Sequence, residues 1–344
     1  MKKTSIVSMI AVAAVAAMAL TGCASNGAGA KSACVILPDA DSGTRWEPGD
    51  HPALEKGLTD AGFTVDIQNA QSDAGKYATI ADAQLSKGCS VMLLVDFQGA
   101  GVAVAKKAKA AGVPVIAYDR PIDGADYYVS FDNTKVGEME GQMIVDGLNA
   151  AGKDIATASI IYSSGDPTDG NAAMFFDGAK SVLSAAGAKP AFTMDGTWDG
   201  AKAGTLFEQA FTAVKGKVDA VLAPNDNNAA SIITILDKNG LTVPVSGQDA
   251  STAGLQNVLL GKQTATVYKP FQLEVAAAID VIKSIAAGKT YATTMENKGV
   301  PYVALTPVSV GPDQVKQVVA DGNAKAADIC TGAVAAACTK YGVK

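Results

Sequence analysis

The strongest constraint on this chain is a repeated alternation of two segment lengths. Short runs rich in Val and Ile occur at 33–37, 64–68, 91–95 and 113–117, and segments of helical length, at 52–61, 74–87 and 98–111, separate them. Strand, helix, strand in that order implies parallel pairing with right-handed crossovers, because a parallel neighbour is reached only through a long connection. Val91 to Val95 is apolar at consecutive positions, as expected of a strand covered by helices on both faces. The rhythm restarts at 157–161, 190–194, 218–222, 243–246 and 264–268. Within 225–239, Ala229, Ile232, Ile233 and Leu236 fall at helical spacing, as do Val275, Ile279 and Ile282 within 270–287. Val136, Met139 and Met143 mark one stripe of a helix over 134–149, read as core rather than functional surface. The expected fold class is α/β, with two doubly wound parallel-sheet lobes whose sequences are too dissimilar to be called a repeat.

The five cysteines divide into one and four. Lys2 and Lys3 precede an apolar stretch from Ile6 to Leu20, too short and too bare of a second flank for a membrane span, so they read as the charged start of a secretory signal. The box Leu20-Thr21-Gly22-Cys23 resembles a bacterial lipoprotein signal. That resemblance implies that residues 1–22 are removed, that Cys23 is lipid-modified, and that the protein works outside the cytoplasm, anchored to the cell membrane. Residues 23–31, rich in Gly, Ala and Ser, read as a flexible tether. In an oxidising compartment the remaining Cys34, Cys89, Cys330 and Cys338 can all be disulfide-bonded, buried free thiols being the alternative. Of three pairings, Cys34 with Cys89 is favoured because both sit at the start of apolar runs, and Cys330 with Cys338 because they are close in sequence.

Without the signal, roughly 320 residues remain, more than one core usually serves, so two domains are expected. The net charge of -6 without a dense Lys or Arg block argues against nucleic acid. His51 is the only histidine, and the cysteines lack zinc-ligand spacing, which disfavours a metal site or a histidine-triad enzyme. No cofactor is expected.

Open parallel sheets bind ligands beyond the carboxyl ends of their strands. Polar residues collect there: Asp119 and Arg120 after Val115 to Tyr118, Asn225 and Asp226 after Ala220 to Ala223, Asp249 after Val243 to Ser246, and Lys269 after Thr266 to Tyr268. Arg45 and Trp46 follow the first strand, Asp169 and Asn171 follow the strand ending near Ile161, and Trp198 sits in another loop. A monosaccharide needs this mixture. Its hydroxyls both donate and accept, so charged and amide side chains satisfy them. Its C–H faces are apolar, and an indole can cover one while excluding water. Taken singly, a loop Trp is more often a packing plug and an Asp after a strand a helix N-cap; their joint occurrence favours a sugar cleft.

Arg45-Trp46, Ala117-Tyr118-Asp119-Arg120, Ser130-Phe131-Asp132-Asn133 with Val136-Gly137, Ser246-Gly247-Gln248-Asp249-Ala250 and Thr266-Val267-Tyr268-Lys269-Pro270 carry a resemblance to a known family. The chain resembles, nearly end to end, the extracytoplasmic monosaccharide-binding proteins of ABC importers, in the group of D-xylose-binding and multiple-sugar-binding proteins. The resemblance implies a type I periplasmic-binding-protein fold and a ligand set of Arg45, Trp46, Asp119, Arg120, Asp169, Asn171, Trp198, Asn225, Asp249 and Lys269, with the two indoles stacking on the sugar. It also implies three crossings between lobes, near Phe131 to Asn133, at Lys269-Pro270 and at Gly299 to Val303. Lobe I would then be 32–131 plus 270–300, and lobe II 132–269 plus 301–344. Closure of a monomer around D-xylose or a similar aldopyranose, followed by delivery to a membrane permease, is the implied role. Two departures are visible: the Pro- and Gly-bearing segment Glu47 to Pro52, and Asp169-Gly170-Asn171 where the family tends to carry an asparagine pair. The rivals are a sensor lipoprotein handing its ligand to a receptor, and a glycosidase using two of Asp119, Asp169, Asp226 and Asp249. Against the second, Arg120 and Lys269 are interleaved with those acids and favour their ionised form. ATP hydrolysis would belong to partners, since no Gly-x-x-x-x-Gly-Lys-Ser/Thr loop is present.

Overall fold

The structure, a computed structural model, describes residues 31–39 and 45–344. The signal segment, Cys23 and the tether up to residue 30 lie outside the described residues. In chain order the first half runs β1 (Ser32–Leu37), α1 (His51–Asp60), β2 (Thr64–Asn69), α2 (Ala74–Ser86), β3 (Val91–Leu94), α3 (Ala100–Ala110), β4 (Val115–Tyr118) and β5 (Tyr127–Phe131). The second half runs α4 (Asn133–Ala150), β6 (Ile160–Tyr162), α5 (Gly170–Ala185), β7 (Pro190–Thr193), α6 (Gly200–Ala213), β8 (Ala220–Leu222), α7 (Asp226–Lys238), α8 (Thr252–Leu259) and β9 (Thr266–Tyr268). The remainder is α9 (Phe271–Ala286), β10 (Met295–Asn297), β11 (Val300–Leu305), β12 (Val308–Val310) and short helices α10 (Val315–Ala320), α11 (Ala326–Ile329) and α12 (Ala335–Tyr341).

The larger sheet has the order β10-β11-β5-β4-β3-β1-β2. It is parallel except for β10, which pairs antiparallel with β11 at the edge. Its period of two divides the core. Val35 and Leu37 of β1, Leu93 of β3 and Ile116 of β4 join Leu54 and Leu58 of α1 and Ile282 of α9 on one face. Cys34 and Ile36, Met92 and Leu94, and Ala117 face α2 and α3 on the other. Each large aliphatic side chain so buried contributes about 1.5–3 kcal/mol, which is why β1 from Ala33 onward and all of β3 are apolar.

The second sheet, β7-β6-β8, is also parallel. Ile144 and Leu148 of α4 with Leu183 of α5 cover one face, and Phe207 of α6 with Ile232 and Leu236 of α7 cover the other. Val136 and Met143 are buried with Met139 packed beside them, as expected of a core stripe. Helices α4 and α5 touch almost backbone to backbone: a Cβ on Gly137 would lie 1.9 Å from the Phe175 carbonyl oxygen, so only glycine fits.

Three expectations are corrected. Residues 243–246 form no strand, only an isolated bridge from Val245 to Val221, because Pro244 lacks the N–H a ladder needs. The central strand β5 has no counterpart among the sequence-predicted runs; its Tyr127-Tyr128-Val129-Ser130-Phe131 is aromatic rather than Val/Ile-rich. And β11 stays paired with β5 through Leu305, so residues 301–305 belong to the first sheet and the chain leaves it between Leu305 and Val308, later than Gly299 to Val303. Of the other two expected crossings, Asp132 lies between β5 and α4 and Lys269-Pro270 between β9 and α9.

Disulfides join Cys34 to Cys89 and Cys330 to Cys338. The first ties β1 to the turn before β3, its sheet neighbour. The second closes the α11–α12 turn, where Ile329, Val334 and Cys338 pack with Leu255 and Val258 of α8. Among the described residues no helix is long and apolar enough to cross a membrane.

Candidate functional site

Loops at strand ends in both halves converge on one cavity of about 380 Å³, and all ten sequence-predicted ligand residues line it. Arg45, Trp46, Asp119 and Arg120 come from the first sheet's side; Asp169, Asn171, Trp198, Asn225, Asp249 and Lys269 come from the second half. Asp119 and Asp249 have φ of 63° and 96°, a left-handed conformation that costs a non-glycine residue on the order of 1–3 kcal/mol and concentrates at functional sites.

Arg45 is the most heavily braced of these side chains. Its Nε and Nη2 donate to the two carboxylate oxygens of Asp50 at 2.7 and 2.6 Å, Nη2 also donates to Glu274 Oε2 at 2.6 Å, and Nη1 lies 3.2 Å from Asp119 Oδ2. The Tyr118 hydroxyl donates to Asp50 Oδ1 at 2.5 Å and completes the frame. Burial works against the guanidinium charge, but Asp50 and Glu274 outweigh it and hold the pKa well above the ordinary value. Glu274 is itself fully buried; burial pushes its carboxyl up to about 8 although Arg45 opposes the shift, and its Oε1 has no hydrogen-bond partner. Trp46 is buried, with the Arg45 guanidinium 4.9 Å and the Arg120 guanidinium 5.8 Å from its ring centroid.

Arg120 and Asp169 meet across the cleft at 3.4 Å. Asp169 also accepts from Asn171 N at 2.9 Å, capping α5, and from Trp198 Nε1 at 3.1 Å. Burial raises its pKa, with Arg120 opposing. Asn225 likewise accepts from Asn228 N at 2.9 Å and caps α7. The two readings of a polar residue after a strand, helix cap and cleft wall, therefore hold together at both positions. Asn171 is tied inward: Oδ1 accepts from Tyr128 Oη at 2.7 Å and Asn133 Nδ2 at 2.9 Å, and Nδ2 donates to the Asp119 carbonyl at 2.8 Å, which leaves one N–H for the cavity.

On the second side Lys269 Nζ lies 3.0 Å from Asp249 Oδ1 and 5.2 Å from the Phe175 ring centroid. Burial disfavours its charge, yet Asp249 and Asp119 leave the ammonium pKa raised. Phe175 and Trp198 meet edge to face, centroids 6.3 Å apart, and the indole packs so closely on Gly165 that a Cβ there would fall 2.2 Å from it. Asp226 accepts from Gln263 Nε2 at 2.7 Å, Thr266 Oγ1 at 2.9 Å and Ser251 N at 2.8 Å; burial, then the Asp249 charge, raise its carboxyl to about 7.

Phe175, Gln248, Asp50 and Glu274 carried no sequence-stated role. Glu274 had one visible signal: a carboxylate on the stripe of Val275, Ala278 and Ile282 must have a partner. A second chamber of about 520 Å³ adjoins the first across Arg120, Asp169 and Trp198. Two of its acids serve local turns, Asp96 accepting from Gly99 N and Gly101 N and Asp199 from Ala201 N and Lys202 N. A groove of about 610 Å³ beside β2 is larger, but its lining comes from the first half alone, whereas polar groups from both halves meet at the first cavity and at the chamber adjoining it.

Two α/β halves whose strand ends enclose a polar, aromatic-walled cleft define a two-lobed solute receptor. Residues 33–290 match the periplasmic binding protein domain, and the chain belongs to that family. It is 33% identical over 306 residues to the D-xylose-binding periplasmic protein of Escherichia coli, covering 83% of this chain and 88% of that protein. To the multiple sugar-binding periplasmic receptor ChvE of Rhizobium radiobacter it is 31% identical, over 94% of this chain and 99% of the receptor. A carbohydrate transporter solute-binding protein from Chloroflexus aurantiacus, solved with D-glucose, superposes with a TM-score of 0.75 at 30% identity, over 87% of this chain and 98% of that one. These relatives are binding proteins by name, not enzymes.

Proposed function

We propose that the protein is the substrate-binding lipoprotein of an ABC sugar importer, taking D-xylose or a similar aldopyranose into the cleft and presenting it to a membrane permease. The observation that carries this reading is the convergence of ten polar and aromatic residues from both halves on one cavity. Asp119, Asp169 and Asp249 accept from sugar hydroxyls; Arg45, Arg120, Lys269, Asn171 and Asn225 donate to hydroxyl and ring oxygens. Trp46 and Trp198 cover the C–H faces of the ring. Closure desolvates the sugar as the second half swings onto the first, and a lipid on Cys23 keeps the loaded receptor beside its permease. The aspartates serve as acceptors, since Asp119 and Asp169 already lie beside Arg45 and Arg120 and Asp249 beside Lys269.

A thermal-shift screen of the full chain against D-xylose, L-arabinose, D-glucose and D-galactose, with chromatography of the recovered sugar, tests the proposal. An upward shift with one aldopyranose, recovered unchanged, is the expected outcome. No shift with any of the four refutes it.

A further inference from the structure

Among the described residues, every cation that faces the cleft already has a carboxylate of the protein beside it. Arg45 lies 2.6 Å from both Asp50 and Glu274 and 3.2 Å from Asp119, Arg120 lies 3.4 Å from Asp169, and Lys269 lies 3.0 Å from Asp249. The cavity wall holds a further carboxylate, Asp226, so that four acids line it against three cations. Behind this wall, Glu140 is buried and its Oε1 has no hydrogen-bond partner. The described lining is thus rich in acceptors and has no cation to spare. A ligand made of O–H donors fits it. A ligand bearing its own carboxylate would bring a negative charge into a site where each positive group is already neutralised, and would remove one O–H donor from the acceptor side.

We infer that the cleft selects by charge: it takes uncharged sugars and rejects sugar acids of the same shape, with the pairs Lys269–Asp249 and Arg120–Asp169 as the specificity determinants. This rests on the reading of the cleft as a sugar site and narrows its substrate class. Like charges brought together at a desolvated interface cost several kcal/mol, so discrimination of at least about a hundredfold is expected.

Titration calorimetry of the full chain at pH 7.5 with D-glucose, D-glucuronamide and D-glucuronate separates charge from size, because the amide and the acid differ by little else. The expected result is binding of D-glucose and of the amide, with the acid at least about a hundredfold weaker than the amide. In Asp249→Asn, which releases Lys269, the amide-to-acid ratio should fall by about tenfold or more, with the fold verified by circular dichroism; Asp169→Asn, which releases Arg120, is a second such test. Acid and amide binding within tenfold of each other in the wild type overturns the charge selection while leaving the sugar-receptor reading intact, as does rejection of both when D-glucose or D-xylose binds. No binding of any neutral sugar overturns the receptor reading itself, and the inference with it.

Discussion

The two walls of the cleft are built on different principles. On the first, Arg45 is clamped by Asp50, Glu274, Asp119 and the Tyr118 frame, and Asp50 and Glu274 are fully buried. On the second, Lys269 has one close carboxylate, Asp249, whose side chain is 43% exposed. A buried charged network fixes its members rigidly, because any movement leaves a charge unpaired in a poor solvent. A pair whose carboxylate is half-exposed can exchange that contact for water or for a sugar hydroxyl, although its lysine is largely buried. The first wall is braced by the protein's own groups, and the second is the wall free to rearrange on the proposed closure.

The sharpest way to break this contrast is Arg45→Ala. It leaves Asp50 and Glu274 buried with no cation between them, and removing one partner of a buried ionic network costs about 3–5 kcal/mol. Urea unfolding should show a loss of that size, together with loss of sugar binding. A loss below about 1 kcal/mol would mean that the clamp is no more structural than a surface pair.

Trp198→Ala probes the second wall and acts on binding rather than on the fold. The indole meets Phe175 edge to face and fills the space over Gly165. Truncating a central aromatic of this kind weakens binding by about 2–4 kcal/mol, which calorimetry would read as a thirtyfold or greater fall in affinity. Unchanged affinity would remove Trp198 from the site.

Much of the cleft was legible because strand ends can be read from sequence: all ten candidate residues follow, or lie in loops between, apolar runs, and all ten reach the cavity. What supports them was not legible. Glu274 meets Arg45 across 229 positions, a contact set by where α9 lands on the first sheet. Phe175 reaches the cleft because glycines let α5 approach α4, which a helical stripe does not reveal. The strand β5 was hidden by its aromatic composition. The lipid anchor at Cys23 rests on its sequence box alone.

The clamp also makes stability depend on pH, with a sign that can be worked out. Burial raises the carboxyl of Glu274 from 4.5 to about 8, Arg45 opposing, and burial with the Asp249 charge raises that of Asp226 from 3.8 to about 7. Between these values the folded state holds protons that the unfolded chain has released, so stability falls as pH rises. The contribution is fully present below about pH 4 and is lost as pH passes through about 7 for Asp226 and about 8 for Glu274. A tenfold difference in proton affinity is worth about 1.4 kcal/mol, so a decline of a few kcal/mol from pH 5 to pH 8.5 is expected from these two groups. Denaturation midpoints for Glu274→Gln should decline less steeply than the wild type over that interval. An identical slope would show that Glu274 is ionised throughout, and the first wall would then be a permanent ion pair rather than a protonatable one.

The smallest expected effect is the counterpart of the first. Lys269→Met removes the cation of the second wall, but Asp249 keeps its contact with water, so the carboxylate left behind is solvated rather than stranded. A pair whose carboxylate is open to water contributes about 0–1 kcal/mol, and methionine keeps an apolar chain of similar length beside the Phe175 ring that the ammonium faces at 5.2 Å. The urea midpoint should therefore stay near the wild-type value while sugar affinity falls. A stability loss approaching that of Arg45→Ala would show that the second wall is as rigidly prebuilt as the first, and closure would then have to be a motion of two fixed surfaces rather than the folding of an adaptable one onto a fixed one.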